Sequence, residues 1–81
     1  MNIYFYSNLA KLRKAKKLSQ QKLADSLGIK KSKIGAYEEN RSFPSIDLFF
    51  TLSDYFGIDV RILFYKNLSE QEIKSILDVK K

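Results

Sequence analysis

Lys31, Ser32 and Lys33 stand in a row, with Ala36 one turn further on, and all of them are short or basic. A helix that enters the major groove of DNA must keep carboxylates away from phosphate. It must also offer donors or small groups to base edges. This run meets both conditions. Catalysis has far less material to work with. The chain contains no His and no Cys, so the commonest general base near neutral pH, thiol chemistry and the usual zinc ligand sets are missing. The acidic residues form no motif, and no Gly-rich phosphate loop exists. The expectation is a binding protein with no catalytic residues, metal or cofactor.

The charge is unevenly placed. Residues 1–41 hold ten Lys or Arg against Asp25, Glu38 and Glu39, whereas residues 42–81 hold five against six acidic residues. A basic first half suits a polyanion, and a near-neutral second half suits something else. Apolar residues make up 44% of the 81, with six Phe and five Tyr. That is ample for one compact core, predicted to span residues 1–81 as a single domain. It also leaves apolar side chains for a partner. The opening Met1-Asn2-Ile3-Tyr4-Phe5-Tyr6 carries no basic leader, and no stretch approaches a membrane span, which takes about 20 apolar residues. A cytoplasmic protein without membrane partners is expected.

The elements that must position the basic run can be read from periodicity and caps. Residues 8–17 read as a first helix, with Leu9 and Leu12 three apart and Ser7 or Asn8 as its cap. Ser19 caps a second, with Leu23, Ala24 and Leu27 as its stripe. Lys22 stands where a capping box needs Glu or Gln. Gly28 closes that helix at a position requiring positive φ, and Ile29 packs inward. About two residues later a third helix runs from Lys31 to Glu38 or Glu39, buried through Ile34 and Tyr37 and ended by Asn40. Two short helices joined by a tight Gly turn form a helix-turn-helix signature. Pro44 and Ser45 open a fourth helix whose expected core stripe is Ile46, Phe49, Leu52, Ser53 and Phe56. Leu48, Phe50 and Tyr55 fall off that stripe. Gly57 closes it, and Asp59 caps a short fifth helix holding Val60, Ile62, Leu63 and Phe64. Ser69 with Glu72 forms a complete capping box for a last helix over 69–81, lined by Ile73, Ile76 and Leu77.

With these residues placed, the sequence resembles the Cro/C1-type (XRE-like) helix-turn-helix family of phage repressors and bacterial regulators. The resemblance covers residues 8–64. It rests on Leu9, Leu12-Arg13, Leu18-Ser19-Gln20, Leu23-Ala24, Leu27-Gly28-Ile29, Ile34, Tyr37-Glu38, Pro44-Ser45, Phe56-Gly57-Ile58 and Leu63. It implies an all-α, five-helix lambda-repressor-like domain, here with an additional C-terminal helix. It also implies binding of double-stranded DNA by a dimer, with the third helix reading the groove. Carried over, Lys31, Ser32 and Lys33 become base-reading positions. Gln20 would hold a phosphate and brace the first reader. Tyr37, Asn40 and Arg41 would lie near the DNA backbone, and Arg13 with Glu38 would form an internal ion pair. Lys14, Lys17 and Lys30 are candidates for peripheral phosphate contact, as are Lys11 and Lys16. A bland account, a solvated first helix, competes for several of these lysines. Two positions depart from the family. Lys30 replaces the usual small hydroxyl that caps the third helix, which weakens the cap by ~1 kcal/mol or shifts it to a neighbour. Asn40 replaces Gly.

The reading helix has no Gln or Asn for adenine and no Arg for guanine, so the residues do not name an operator. The expected function is a sequence-specific transcriptional regulator, a repressor acting as a homodimer on a palindromic operator. The apolar surplus, from Leu48, Phe50 and Tyr55 through Ile62, Phe64, Ile73, Ile76 and Leu77, motivates the dimer. Two alternatives stay open: an antitoxin that binds DNA and also neutralises a partner protein, and an interaction module that kept the fold but not the DNA.

Overall fold

The structure, a computed structural model, describes residues 3–78, which form an all-helical bundle with no strand among them. Six helices follow in order: α1 (Phe5–Ala15), α2 (Gln20–Leu27), α3 (Lys31–Glu38), α4 (Ile46–Phe56), α5 (Val60–Tyr65) and α6 (Glu70–Asp78). Helix α1 is the central strut and packs on α3, α5 and α6, while α2 packs on α3 and α4 on α5. The core joins both halves of the chain, from Phe5, Leu9 and Leu12 through Leu23, Ile34 and Tyr37 to Leu52, Phe56, Leu63, Leu68 and Ile73.

The helix ends follow from local chemistry. The Ser19 and Ser45 hydroxyls accept from the amides of Lys22 and Leu48, and the Asp59 carboxylate accepts from the Arg61 amide. At α6 the capping box closes both ways. The Glu72 amide donates to Ser69 Oγ, and the Ser69 amide donates to Glu72 Oε1. Four helix C-termini share one device. Lys17, Gly28, Asn40 and Gly57 all take positive φ. In each case the residue that follows (Leu18, Ile29, Arg41 or Ile58) donates its amide to the carbonyl five residues back. This is the Schellman arrangement. At three of the four the following residue is apolar and turns into the core; after Asn40 it is Arg41, on the surface.

Several expectations need correction. Helix α1 starts at Phe5, not at 8, and ends at Ala15. Lys17 lies in the left-handed turn beyond it. Neither Ser7 nor Asn8 caps α1. Asn8 is fully buried one turn inside. Its Nδ2 donates to the carbonyls of Leu63 (2.9 Å) and Lys66 (2.7 Å), and its Oδ1 accepts from the Leu68 amide (3.3 Å). One amide side chain thus satisfies the backbone where α5 stops and the chain turns toward α6. That pairing is what makes its burial tolerable. Ile46 was expected in the α4 stripe but is 75% exposed. It is the first residue of α4, two positions after the buried Pro44. Phe43 instead joins Phe5, Phe49 and Phe64 in a cluster with ring centroids 5.1–5.9 Å apart. The expected α6 agrees as far as Asp78, and its continuation to 81 lies outside the described residues.

Candidate nucleic-acid interface

Helix α3 is a weak helix by its own sequence. Its interior holds Gly35, its N-cap residue is Lys30, and no side chain bonds to its free amides. Of the two outcomes left open for Lys30, the cap does not shift. Lys30 keeps extended backbone and only its carbonyl engages, accepting from the Lys33 amide at 3.0 Å. Apart from Ile34 and Tyr37, α3 buries no residue fully. Tertiary contacts must therefore hold it in place.

A charged network makes the strongest of these contacts. Arg13 on α1 donates through Nε to Glu38 Oε2 (2.6 Å) and through Nη2 to Glu38 Oε1 (3.0 Å), a two-point pairing of planar groups. Its Nη1 donates to the Leu18 carbonyl at 2.8 Å, a carbonyl aimed by the left-handed turn at Lys17. Gln20, the first residue of α2, donates Nε2 to Glu38 Oε1 at 3.0 Å. The Glu38 carboxylate thus gathers α1, α2 and the end of α3. The two charged side chains are only 11% and 8% exposed, and the pair is satisfied on the sides that matter. Tyr37 adds an apolar anchor at 3% exposure and meets Phe5 ring to ring at 6.4 Å. Burial pushes its hydroxyl pKa above the ordinary value.

With α3 held this way, Lys31, Ser32 and Lys33 are all exposed at its N-terminal end, next to exposed Lys30. Asn40 and Arg41 are exposed at the other end. Arg41 pairs with Glu39 at 2.6 Å, but both side chains are more than 60% exposed, and such a pair is worth little and exchanges easily. The lysines of α1 divide in a way that the sequence does not reveal. Lys11 donates to the Leu68 carbonyl at 2.7 Å and serves the fold. Lys16 lies 4.9 Å from the centroid of the Tyr55 ring. Lys14 and Lys17 are exposed. Gln20 sits where its Oε1 lies over Gly35, 3.8 Å from the place a Cβ would take, and its donor serves Glu38 at the far end of α3 from Lys31. Sequence reasoning missed Asn8 and the division among the lysines. Only the left-handed turn could have flagged Lys17, through the apolar Leu18 that follows it.

The arrangement of α2, a Gly turn and α3, exposing a basic helix end, is that of a helix-turn-helix protein. Comparison with known families agrees. Residues 6–68 match the helix-turn-helix domain family, and the chain belongs to it. It is related to regulators of the Cro/C1 type. It is similar to two proteins of Bacillus subtilis (strain 168), both described as uncharacterized HTH-type transcriptional regulators. YobD is 36% identical over 56 residues, which are 69% of this chain and 50% of YobD. YqaE is 33% identical over 78 residues, 91% of this chain and 67% of YqaE. The chain thus spans half the length of one relative and about two thirds of the other. No solved structure gives a significant match. Among the described residues no helix is long and apolar enough to cross a membrane, and no cluster of metal-ligating side chains occurs.

Proposed function

We propose that the chain is a sequence-specific DNA-binding transcriptional repressor of the Cro/C1 type on a lambda-repressor-like fold, reading the major groove of a palindromic operator with α3 as a two-fold homodimer. The observation that carries this reading is the exposed Lys31-Ser32-Lys33 end of a helix clamped from behind by Arg13, Glu38 and Gln20. A clamped helix presents its side chains in a fixed register, and base readout requires that. Lys31, Ser32 and Lys33 read base edges. Arg41, Asn40, Lys30 and the Tyr37 hydroxyl contact the backbone, with Lys14 and Lys17 further out. Gln20 acts first as a brace within the Glu38 network. It carries a second amide hydrogen that can serve a phosphate.

The homodimer is supported by a smaller apolar surplus than the sequence suggests. Ile73 is buried, and Leu48, Tyr55, Phe64, Ile76 and Leu77 pack against the chain's own core. The large apolar side chains left exposed are Ile3, Phe43, Ile46, Phe50, Ile62 and Tyr65. Several adjoin the aromatic cluster. Phe43 belongs to it, Tyr65 meets Phe64 at 4.7 Å, and the Tyr4 amide bonds the Phe64 carbonyl. Exposed apolar side chains gathered beside such a cluster mark an interface. Two copies about a dyad would set two reading helices about 34 Å apart on one DNA face.

Selection of binding sites from random duplex DNA tests the reading directly. Wild-type protein should yield an inverted repeat, and Lys31→Ala should cost about 1–3 kcal/mol of specific affinity and relax one position of each half-site. An unchanged preference in that variant would remove Lys31 from the reading set. Sedimentation equilibrium with the selected duplex should give two chains per duplex, and one chain at saturation would end the dimer.

A further inference from the structure

A groove of about 460 Å³ lies between α1 and α6, on neither the α3 face nor the exposed aromatic surface. We propose that it binds a small amphipathic anion, a carboxylate carried on a compact apolar body. The volume is in the range of small-molecule sites, roughly 300–1,000 Å³. Its floor is apolar. Ala10 and Ala15 on α1 leave a hollow where larger side chains would fill the space, and the buried Ile73 of α6 faces them. Its rim is cationic, with Lys11, Lys14 and Lys74 against a single carboxylate, Glu70.

The three lysines are not equivalent. Lys11 is fixed in place by its bond to the Leu68 carbonyl and keeps further donor hydrogens. The Lys14 and Lys74 side chains have no ion-pair or hydrogen-bond partner among the described residues. An apolar floor beneath a rim of lysines selects against both a bare inorganic anion, which leaves the floor wet, and an uncharged apolar molecule, which leaves the cations unused. The inference does not depend on DNA recognition; Lys14 is the one residue it shares with the proposed DNA contacts.

Titration of the full chain with octanoate, followed by amide NMR, tests it. Saturable shifts are expected at Ala10, Ala15 and Ile73. Octanamide should bind about tenfold or more weakly, as expected for loss of a charge-assisted hydrogen bond, and inorganic phosphate should not reproduce the shifts. Ala15→Leu, which fills the hollow, and the double variant Lys14→Glu with Lys74→Glu should each abolish the shifts. Both change surface positions, so an unaltered melting temperature would show that the fold is intact. Octanamide binding as tightly as octanoate, shifts centred on Ile46 and Phe50 instead, or no saturation at millimolar octanoate would each overturn the proposal.

Discussion

The two halves of this molecule are held together by different physics. Helices α2 and α3 are short and polar, and a charged network through Arg13, Glu38 and Gln20 locks them to α1. Helices α4 and α5 are held by rings packed edge to face, with Phe43 and Phe49 each meeting both Phe5 and Phe64, and by a single buried amide, Asn8, at the junction with α6. The first arrangement fixes the rotation of a helix that buries little, because a two-point ion pair is directional. The second fixes volume and is less particular about direction, and it leaves apolar rings at the surface. A face that must present side chains in register gains from the first, and a face suited to covering by another surface can be built by the second.

The comparison breaks most severely at Asn8. Replacing it by Leu leaves two carbonyls and one amide without a partner in the core. At about 1–3 kcal/mol for each unsatisfied group, offset in part by the gained apolar contact, the loss should be about 4 kcal/mol. Denaturant melts would measure it, and hydrogen exchange should show α5 and α6 opening before α2 and α3. Uniform exchange across the chain would mean that the halves are not separately held.

Next in size is the network in the other half. Arg13→Met or Glu38→Gln alone should cost about 3 kcal/mol, because each strands a buried partner. The double variant should cost less than the two single losses together. Simple additivity in chemical denaturation would show that the pair carries no coupling.

The turns give a smaller effect of opposite sign. Lys17 adopts the conformation that Gly28 and Gly57 adopt elsewhere, with φ 60°. A non-glycine residue there is strained by about 1 kcal/mol. Lys17→Gly should therefore stabilise the fold by about 1 kcal/mol, less the extra entropy glycine brings to the unfolded chain. A drop in melting temperature would show that the lysine side chain contributes more than its backbone costs.

The mildest expected effect is at α6. The Glu72 carboxylate is held below its ordinary pKa, first by the Ser69 amide and then by Lys66. A depressed carboxylate contributes stability above its unfolded pKa and loses it as pH falls through the folded one. Helix α6 should therefore fray first in acid, and Glu72→Gln should remove that step. Exchange rates of α6 amides across the acidic range would show it. An α6 that opens in step with α1 would count against the capping box as its anchor.

Much of the fold was legible because its signals are local. Ser19, Ser45, Asp59 and the Ser69–Glu72 box are caps that depend only on the next few residues. Gly28, Asn40 and Gly57 mark turns by the backbone angles they tolerate, and the stripes Leu9–Leu12 and Leu23–Ala24 repeat at helical period. The basic run at 31–33 could be placed on an exposed helix end for the same reason. Lys17 escaped because its residue type does not announce positive φ. Tertiary structure alone decided the partners across the chain. Asn8 reads locally as a cap, and only the return of residues 63–68 to α1 turns it into a buried pin. Lys11 and Lys14 are three residues apart and of one type, yet one serves the Leu68 carbonyl and the other stays exposed. Ile46 fits the α4 period but lies outside the core, at the first position of its helix. Periodicity specifies which face of a helix is apolar; what that face meets at each turn is set by residues distant in sequence, whose positions only the packed chain determines.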